Sequence, residues 1–207
     1  MMGAFSERLI EFLLVLLLIS VPTQAFAEKG LTLRERLDKG EIVKKNAESN
    51  ERRVQATVTA VVDAPPEDVW AIVSDCARYA ETMYRIAESK LLEKKGNHWI
   101  CEVTVGVPGP LPNLTAVTDA VHTVTSKRWE RKWTLIRGDY HENRGSWVLG
   151  PFNKEGTRTL VVYRASVKPK IAVPDAILKW AQKSSATEVF LRLRKEVAKY
   201  RAGKSAK

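Results

Sequence analysis

The sequence predicts an α+β domain in which a curved antiparallel sheet of seven strands wraps around one long C-terminal helix. Three observations lead to this fold class. Segments with an apolar residue at every second position recur over 54–168, as expected for half-buried strands. Short turns separate most of these segments, which favours pairing between consecutive strands. After Pro174 the apolar period becomes that of a helix, and no breaker follows until about Ala202.

The clearest alternation comes first, over 54–62. Prolines and acidic residues over 63–70 then predict a short helix to about Ser74, and a second short helix is expected over 77–84. Six further strands are expected, over 86–93, 99–107, 114–125, 129–137, 145–149 and 157–168. The apolar stripe of the long helix is expected to comprise Leu178, Ala186, Val189, Leu193, Val197 and Tyr200.

Residues 1–27 have the character of a secretory signal peptide. The apolar run over 12–21 is too short to span a bilayer comfortably, and Ala25 and Ala27 form a small-x-small cleavage pattern. We expect cleavage before Glu28, with an uncleaved anchor as the alternative. The domain is exported in either case, to the periplasm or as a secreted protein.

The rest of the chain is organised around a single domain. A charged lead-in segment over 28–53 precedes the domain over 54–202, and a basic tail over 203–207 follows it. The formal net charge of +10 favours anionic partners, either lipid headgroups or nucleic acid. For an exported protein we expect an anionic membrane surface and no nucleic acid. A solvated basic surface without a specific partner is the alternative.

Catalytic and metal-binding signatures are absent from the sequence. The three histidines, His98, His122 and His141, lack metal-ligand spacing, so we expect neither a metal site nor a cofactor. No nucleophile paired to a base and no phosphate-binding loop is recognisable. The alternative to a noncatalytic protein is a cyclase or dehydratase whose acid, base or enolate stabiliser is Arg131, Tyr163 or Asp119.

Arg131 is placed between two tryptophans on one strand face. Trp129, Arg131 and Trp133 alternate along this face, and large rings at such a spacing either form ordinary core or line a cavity. A buried arginine needs a partner. We expect Arg131 to meet a carboxylate, such as Asp119 or Glu102, or the polar head of a ligand.

Cys76 and Cys101 are the two cysteines of the chain. In an exported protein they could form a disulfide. Cys101 falls on a strand face with apolar neighbours, and the expectation is therefore two buried free thiols.

The motif over 61–70, Val-Val-Asp-Ala-Pro-Pro-Glu-Asp-Val-Trp, with Asp75 and Tyr79, resembles the first strand and helix of a known superfamily. Its members include StAR-related lipid-transfer domains, the birch-pollen-allergen fold, polyketide cyclases and coenzyme Q-binding proteins. The segments over 144–152 and 156–163 are similar to the last two strands of that superfamily, and Val173-Pro174 is similar to its entrance to the terminal helix. The resemblance covers about 54–200.

The resemblance implies a helix-grip fold with an apolar space between sheet and helix. We therefore expect an exported, noncatalytic binder or carrier of a hydrophobic small molecule or lipid. A polyketide cyclase or dehydratase using the same cavity is the second hypothesis, and a basic module that docks on anionic membranes is the third. The residues expected to line the cavity are Trp70, Tyr79, Trp129, Arg131, Trp133, Trp147, Tyr163, Ile177 and Trp180.

The loop over 106–113 is the one long connection between the predicted strands, and it is a candidate gate. Its prolines fix φ and remove hydrogen-bond donors, so the loop should stand as a stiff flap. The gate residues are Gly106 and Gly109 as hinges, Pro108, Pro110 and Pro112 as stiffeners, and Leu111 at the apolar tip. The opposite lip is expected from Val173, Ile177 and Trp180, with Lys168, Lys170 and Lys179 near the same edge. A rigid loop without a gating role is the alternative.

Overall fold

The alternating segments form one antiparallel sheet. The structure, a computed structural model, describes residues 31–45, 53–181 and 186–206. The signal peptide predicted over 1–27 lies outside the described residues. Within these ranges the strands are β1 (Val43–Lys45), β2 (Val54–Val62), β3 (Ile86–Lys95), β4 (His98–Val105), β5 (Leu114–Val124), β6 (Trp129–Gly138), β7 (Tyr140–Pro151) and β8 (Thr159–Pro169).

The sheet is curled and open, and its strand order is β1-β2-β8-β7-β6-β5-β4-β3. Strands β3 to β8 pair with their neighbours in sequence, as the short turns predict, and β2 returns beside β8. The predicted α+β fold is confirmed, although the described residues contain eight strands and not seven. The additional strand, β1, comes from the lead-in segment, where three residues are too few to show an alternating pattern.

The helices in the described residues are α1 (Leu33–Asp38), α2 (Pro66–Val73), α3 (Tyr79–Thr82), α4 (Asp175–Trp180) and α5 (Ala186–Ser205), with a 3₁₀ turn over Cys76–Arg78 before α3. Residues 182–185 are outside the described ranges, so one uninterrupted terminal helix stays a prediction. None of the described helices is long and apolar enough to cross a membrane.

Helix α2 begins as its sequence predicts and is joined to α5 by ion pairs. Pro66 occupies the first turn, where the missing N–H leaves no bond unmade. The buried carboxylate of Asp68 lies 3.1 Å from Nζ of Lys204 and 3.5 Å from Nε of Arg201. These contacts fix α2 and the end of α5 against each other at one end of the sheet.

Helix α5 covers part of the inner face of the sheet. Phe190, Leu193 and Val197 are almost completely buried, and the Phe190 ring lies 5.9 Å from that of Trp147. The predicted stripe therefore needs two corrections. Phe190 belongs to it, whereas Tyr200 is 37% exposed, because Arg201 and Lys204 occupy the inward side of that part of the helix and bond to Asp63 and Asp68.

The lead-in segment packs on the outside of the sheet through α1. Leu37 is buried against Val61 and Phe152. The guanidinium groups of Arg34 and Arg158 lie 4.6 and 5.1 Å from the centre of the Phe152 ring. The described part of this segment is thus attached to the domain that it precedes.

Candidate ligand cavity

A cavity of about 320 Å³ lies between the inner face of the sheet and the terminal helical region. Its wall is mostly apolar and is contributed by strands β2 to β8, helices α3, α4 and α5, and the loops that follow α3 and β4. The aliphatic part includes Val54, Ala56, Met83, Ile86, Val103, Val105, Val107, Leu114, Ala116, Ala165, Val167, Val173, Ile177, Leu178 and Val189. The polar lining side chains are Tyr79, Tyr84, Arg85, Thr118, Arg131, Tyr140, Asn143 and Tyr163.

Six of the nine residues predicted for the cavity line it, namely Tyr79, Arg131, Trp133, Trp147, Tyr163 and Ile177. The prediction is corrected at two positions, Trp70 and Trp129, which lie elsewhere. Trp129 is buried in the core cluster to which α2 contributes Val69 and Val73, and Trp70 packs edge-on against His122 at 5.2 Å. The side chain of Trp180 is outside the described residues.

The closed end of the cavity is one row of residues across three strands. Arg131, Trp147 and Tyr163 are register partners on β6, β7 and β8, and all three line the cavity. The residues of the next row are buried and do not line the cavity; they are Trp129, Leu149 and Val161. The cavity therefore ends at the Arg131 row and extends from there toward the loop over 106–113.

Arg131 is only 3% exposed, and its guanidinium has no carboxylate partner among the described residues. Nη2 is 3.6 Å from the sulfur of Cys101, Nε has no hydrogen-bond partner, and the rings of Tyr79 and Trp133 lie 5.4 and 5.6 Å from Cζ. Of the partners expected for Arg131, Asp119 instead contacts His98 at 3.0 Å. The buried charge is thus offset by aromatic faces and a weak sulfur acceptor.

Two tyrosines share this end of the cavity. Tyr79 donates its hydroxyl hydrogen to the carbonyl oxygen of Val73, and burial raises its pKa. Burial, together with nearby Tyr79, raises the pKa of Tyr163 to about 12 against the opposing charge of Arg131. Tyr163 therefore stays protonated at neutral pH and can donate a hydrogen bond inside the cavity.

Three packed aromatic rings form one wall. Tyr163 lies 4.4 Å from Trp147 and 6.1 Å from Trp133, ring centre to ring centre. The indole Nε1 of Trp133 donates to Oδ1 of Asn143 over 3.0 Å. Asn143 and Tyr140 were not predicted as cavity residues, because the strand was expected to begin at 145. Strand β7 in fact begins five residues earlier, and its pairing with β8 is irregular just after Tyr140.

The two cysteines form a disulfide, so the expectation of free thiols is wrong. Their Cα atoms are 6.2 Å apart, because the 3₁₀ turn that carries Cys76 packs over β4, where Cys101 points inward. Both residues are fully buried. The bond fixes the segment that carries Tyr79 to the sheet beside Arg131.

His122, the register partner of Arg131 on β5, belongs to an aromatic cluster beside the closed end. Its ring lies 4.5 Å from that of Trp99 and 5.2 Å from that of Trp70, and Nε2 is buried without a hydrogen-bond partner among the described residues. Burial, with the charges of Arg131 and Lys94, lowers the pKa of His122 to about 4. The imidazole is therefore neutral at physiological pH. No group of side chains suited to holding a metal ion occurs in the described part of the chain.

At the open end, the first residues of the candidate gate line the cavity, and its tip does not. Gly106 and Pro108 line the cavity, whereas Gly109, Pro110 and Leu111 do not. Gly109 has φ of +83°, which favours glycine, but Gly106 has no such conformation. Gly106 donates its N–H to the carbonyl of Arg85 over 2.8 Å and accepts from Nε of Arg85 over 2.7 Å. Of the opposite lip, Val173 and Ile177 line the cavity.

The curled sheet and the helical region across it enclose a mostly apolar space. A family model described as polyketide cyclase / dehydrase and lipid transport matches residues 62–193. The chain belongs to this family. No curated protein matches the sequence significantly.

Solved structures share the fold at low sequence identity. A STAR-related lipid transfer protein from Xanthomonas axonopodis is 15% identical, with a TM-score of 0.62 over 75% of this chain and 98% of the other. Human StAR-related lipid transfer protein 5 is 11% identical, with a TM-score of 0.61 over 76% of this chain and 88% of the other. The Zhui aromatase/cyclase from Streptomyces is 16% identical, with a TM-score of 0.57 over 70% of this chain and 94% of the other. These similarities establish the fold and include both lipid carriers and an enzyme by name.

Proposed function

We propose that this protein is a noncatalytic carrier that holds one hydrophobic small molecule or lipid in the cavity between sheet and helix. The observation that carries the proposal is the mostly apolar, partly enclosed space of about 320 Å³. A volume of this size lies at the lower end of those that bind drug-sized ligands, roughly 300–1,000 Å³. It suits a single-chain or fused-ring molecule better than a two-chain lipid.

A cyclase is the second candidate because Arg131 and Tyr163 both face the cavity. General acid–base catalysis needs a group that exchanges a proton near neutral pH. Neither a carboxylate nor an imidazole is among the described lining residues, and the pKa of Tyr163 is raised far above neutrality. These features favour a carrier over an enzyme.

Export belongs to the same proposal. The apolar segment over 12–21 and the pattern ending at Ala27 supply the expected signal. The disulfide between Cys76 and Cys101 supports an oxidising destination, since such bonds are rare where thiols are kept reduced.

The open end suits contact with an anionic membrane. Lys170 and Lys179 are exposed beside Pro169 and Ile177, which line the cavity. Each lysine near a negatively charged bilayer contributes about 1 kcal/mol of attraction. Ligand would then exchange where the loop over 106–113 faces α4.

A vesicle transfer assay tests the carrier. Substoichiometric protein should accelerate movement of a neutral fluorescent apolar probe from donor to acceptor vesicles, more strongly when both contain anionic lipid. The variant Ala165→Phe, which fills the cavity, should be inactive, whereas Thr134→Phe, exposed on the same sheet, should retain activity. Unaccelerated transfer by the wild type would contradict the carrier. Chemical conversion of a linear polyketide-like compound, lost in Tyr163→Phe, would favour the cyclase.

A further inference from the structure

The closed end of the cavity differs chemically from the rest of its wall. Arg131 is more than nine-tenths buried there, and its Nε has no hydrogen-bond partner in the described residues. A buried cation that lacks a counterion is costly, and a ligand that supplies one recovers part of that cost. The neighbouring sulfur of Cys101 is a weak acceptor and leaves this demand unmet.

The geometry orients such a ligand. The Arg131 row closes the cavity, and Tyr163, its register neighbour through Trp147, presents a protonated hydroxyl to the same space. From Tyr163 to Pro169 at the open end, β8 extends about 20 Å at roughly 3.3 Å per residue. The wall along this distance is apolar apart from a few neutral side chains and Arg85 at the mouth. The polar head of an amphiphile would therefore lie inward and its tail toward the mouth.

We propose that the cavity selects single-chain amphiphiles with one carboxylate, which pairs with Arg131 and accepts a hydrogen bond from Tyr163. A planar guanidinium matches a carboxylate in shape and charge. One buried guanidinium neutralises one negative charge, so a doubly charged phosphate monoester is disfavoured. This inference rests on the proposed function, because it names the class of ligand that the carrier holds.

A matched ligand series tests the selection at pH 7.5. Dodecanoic acid, dodecanol and dodecyl phosphate compete with neutral Nile red for the purified wild-type protein. Dodecanoate should bind roughly ten- to one-hundredfold more tightly than dodecanol, as a hydrogen-bonded charge pair implies. Arg131→Met keeps the apolar stem of the side chain but removes the charge and should abolish this preference. Arg137→Gln, exposed on the same strand, should preserve it.

The outcomes separate the two proposals. If Nile red and all three competitors fail to bind, the carrier itself is wrong. Equal affinity of the wild type for acid and alcohol overturns the carboxylate assignment while leaving the carrier intact. Tighter binding of dodecyl phosphate than dodecanoate, or a preference that survives in folded Arg131→Met, overturns it as well. Because the wild-type comparison needs no variant, misfolding of Arg131→Met does not prevent a decision.

Discussion

The indole of Trp133 fills the space that a side chain at Gly145 would need on the neighbouring strand. A β-carbon built at Gly145 would lie 2.3 Å from Cζ2 of Trp133 and 2.3 Å from the carbonyl oxygen of Arg164. Backbone on one side and a ring on the other leave no room for relaxation. The missing side chain at Gly145 therefore sets the position of a tryptophan that lines the cavity.

Gly145→Ala should destabilise the domain by about 1–3 kcal/mol, because overpacking displaces Trp133 or the strand. Chemical denaturation measures the change in the free energy of unfolding. Gly203→Ala is the matched control. Apart from its chain neighbours and the backbone of its own helix, no atom lies within 4 Å of the β-carbon that it adds in α5, and it should stabilise the protein by about 0.5–1 kcal/mol. Equal effects of the two substitutions would show that the packing at Gly145 is looser than described.

Removing the disulfide by Cys76→Ala with Cys101→Ala should lower the free energy of unfolding by about 2–4 kcal/mol. The bond closes a loop with a sequence separation of 25 and restricts the unfolded chain. The double variant should also bind ligand more weakly, since the segment that carries Tyr79 loses its attachment. Peptide mapping without reductant should recover the two cysteines in one linked peptide. Full alkylation of both in unreduced, unfolded protein would refute the bond.

His122 should titrate near pH 4 in the folded protein, which NMR of its ring protons can follow. The unfolded state binds a proton below about pH 6.5, so between pH 6.5 and 4 it holds more protons than the folded state. The contribution of His122 to stability is complete above that window and is lost as pH falls through it. His122→Gln should therefore show a smaller loss of stability between pH 6.5 and 4 than wild type or the exposed control His141→Gln. A folded-state midpoint near 6.5 would contradict the burial of this ring.

The gate can be tested by tethering Leu111 to Ile177 through engineered cysteines. If the loop moves during exchange, the oxidised tether should slow probe release, and mild reductant should restore it. Wild type treated with the same reductant controls for the native disulfide, which is buried. Peptide mapping must confirm the added bridge. Unchanged release with the bridge in place would leave the loop without a gating role.

The spacing of apolar residues along the chain predicted the fold, but it did not predict all the residues that line the cavity. Alternation located β2 with its observed bounds, and the turns gave the antiparallel order of β3 to β8. The start of β7 was missed because polar and charged residues over 141–144 obscure the alternation, and its pairing is irregular after Tyr140. The spacing of apolar residues along the chain cannot show such a shift in strand register.

The sequence could assign candidate cavity residues to one face of a strand, but it could not show which of them line the cavity. Trp129 and Arg131 share a face of β6, but Trp129 is buried in the core cluster that includes residues of α2, whereas Arg131 lines the cavity. The disulfide likewise depends on how closely the 3₁₀ turn approaches β4, a distance that spacing along the chain does not encode. Tertiary packing decides both.

The central claim is that the cavity holds an apolar ligand, and native mass spectrometry of protein purified from its own host tests it most directly. The account predicts one bound organic molecule per wild-type and Thr134→Phe chain, recoverable by solvent extraction, and none on Ala165→Phe. An empty wild-type protein, or equal retention of the same molecule by Ala165→Phe, would contradict it.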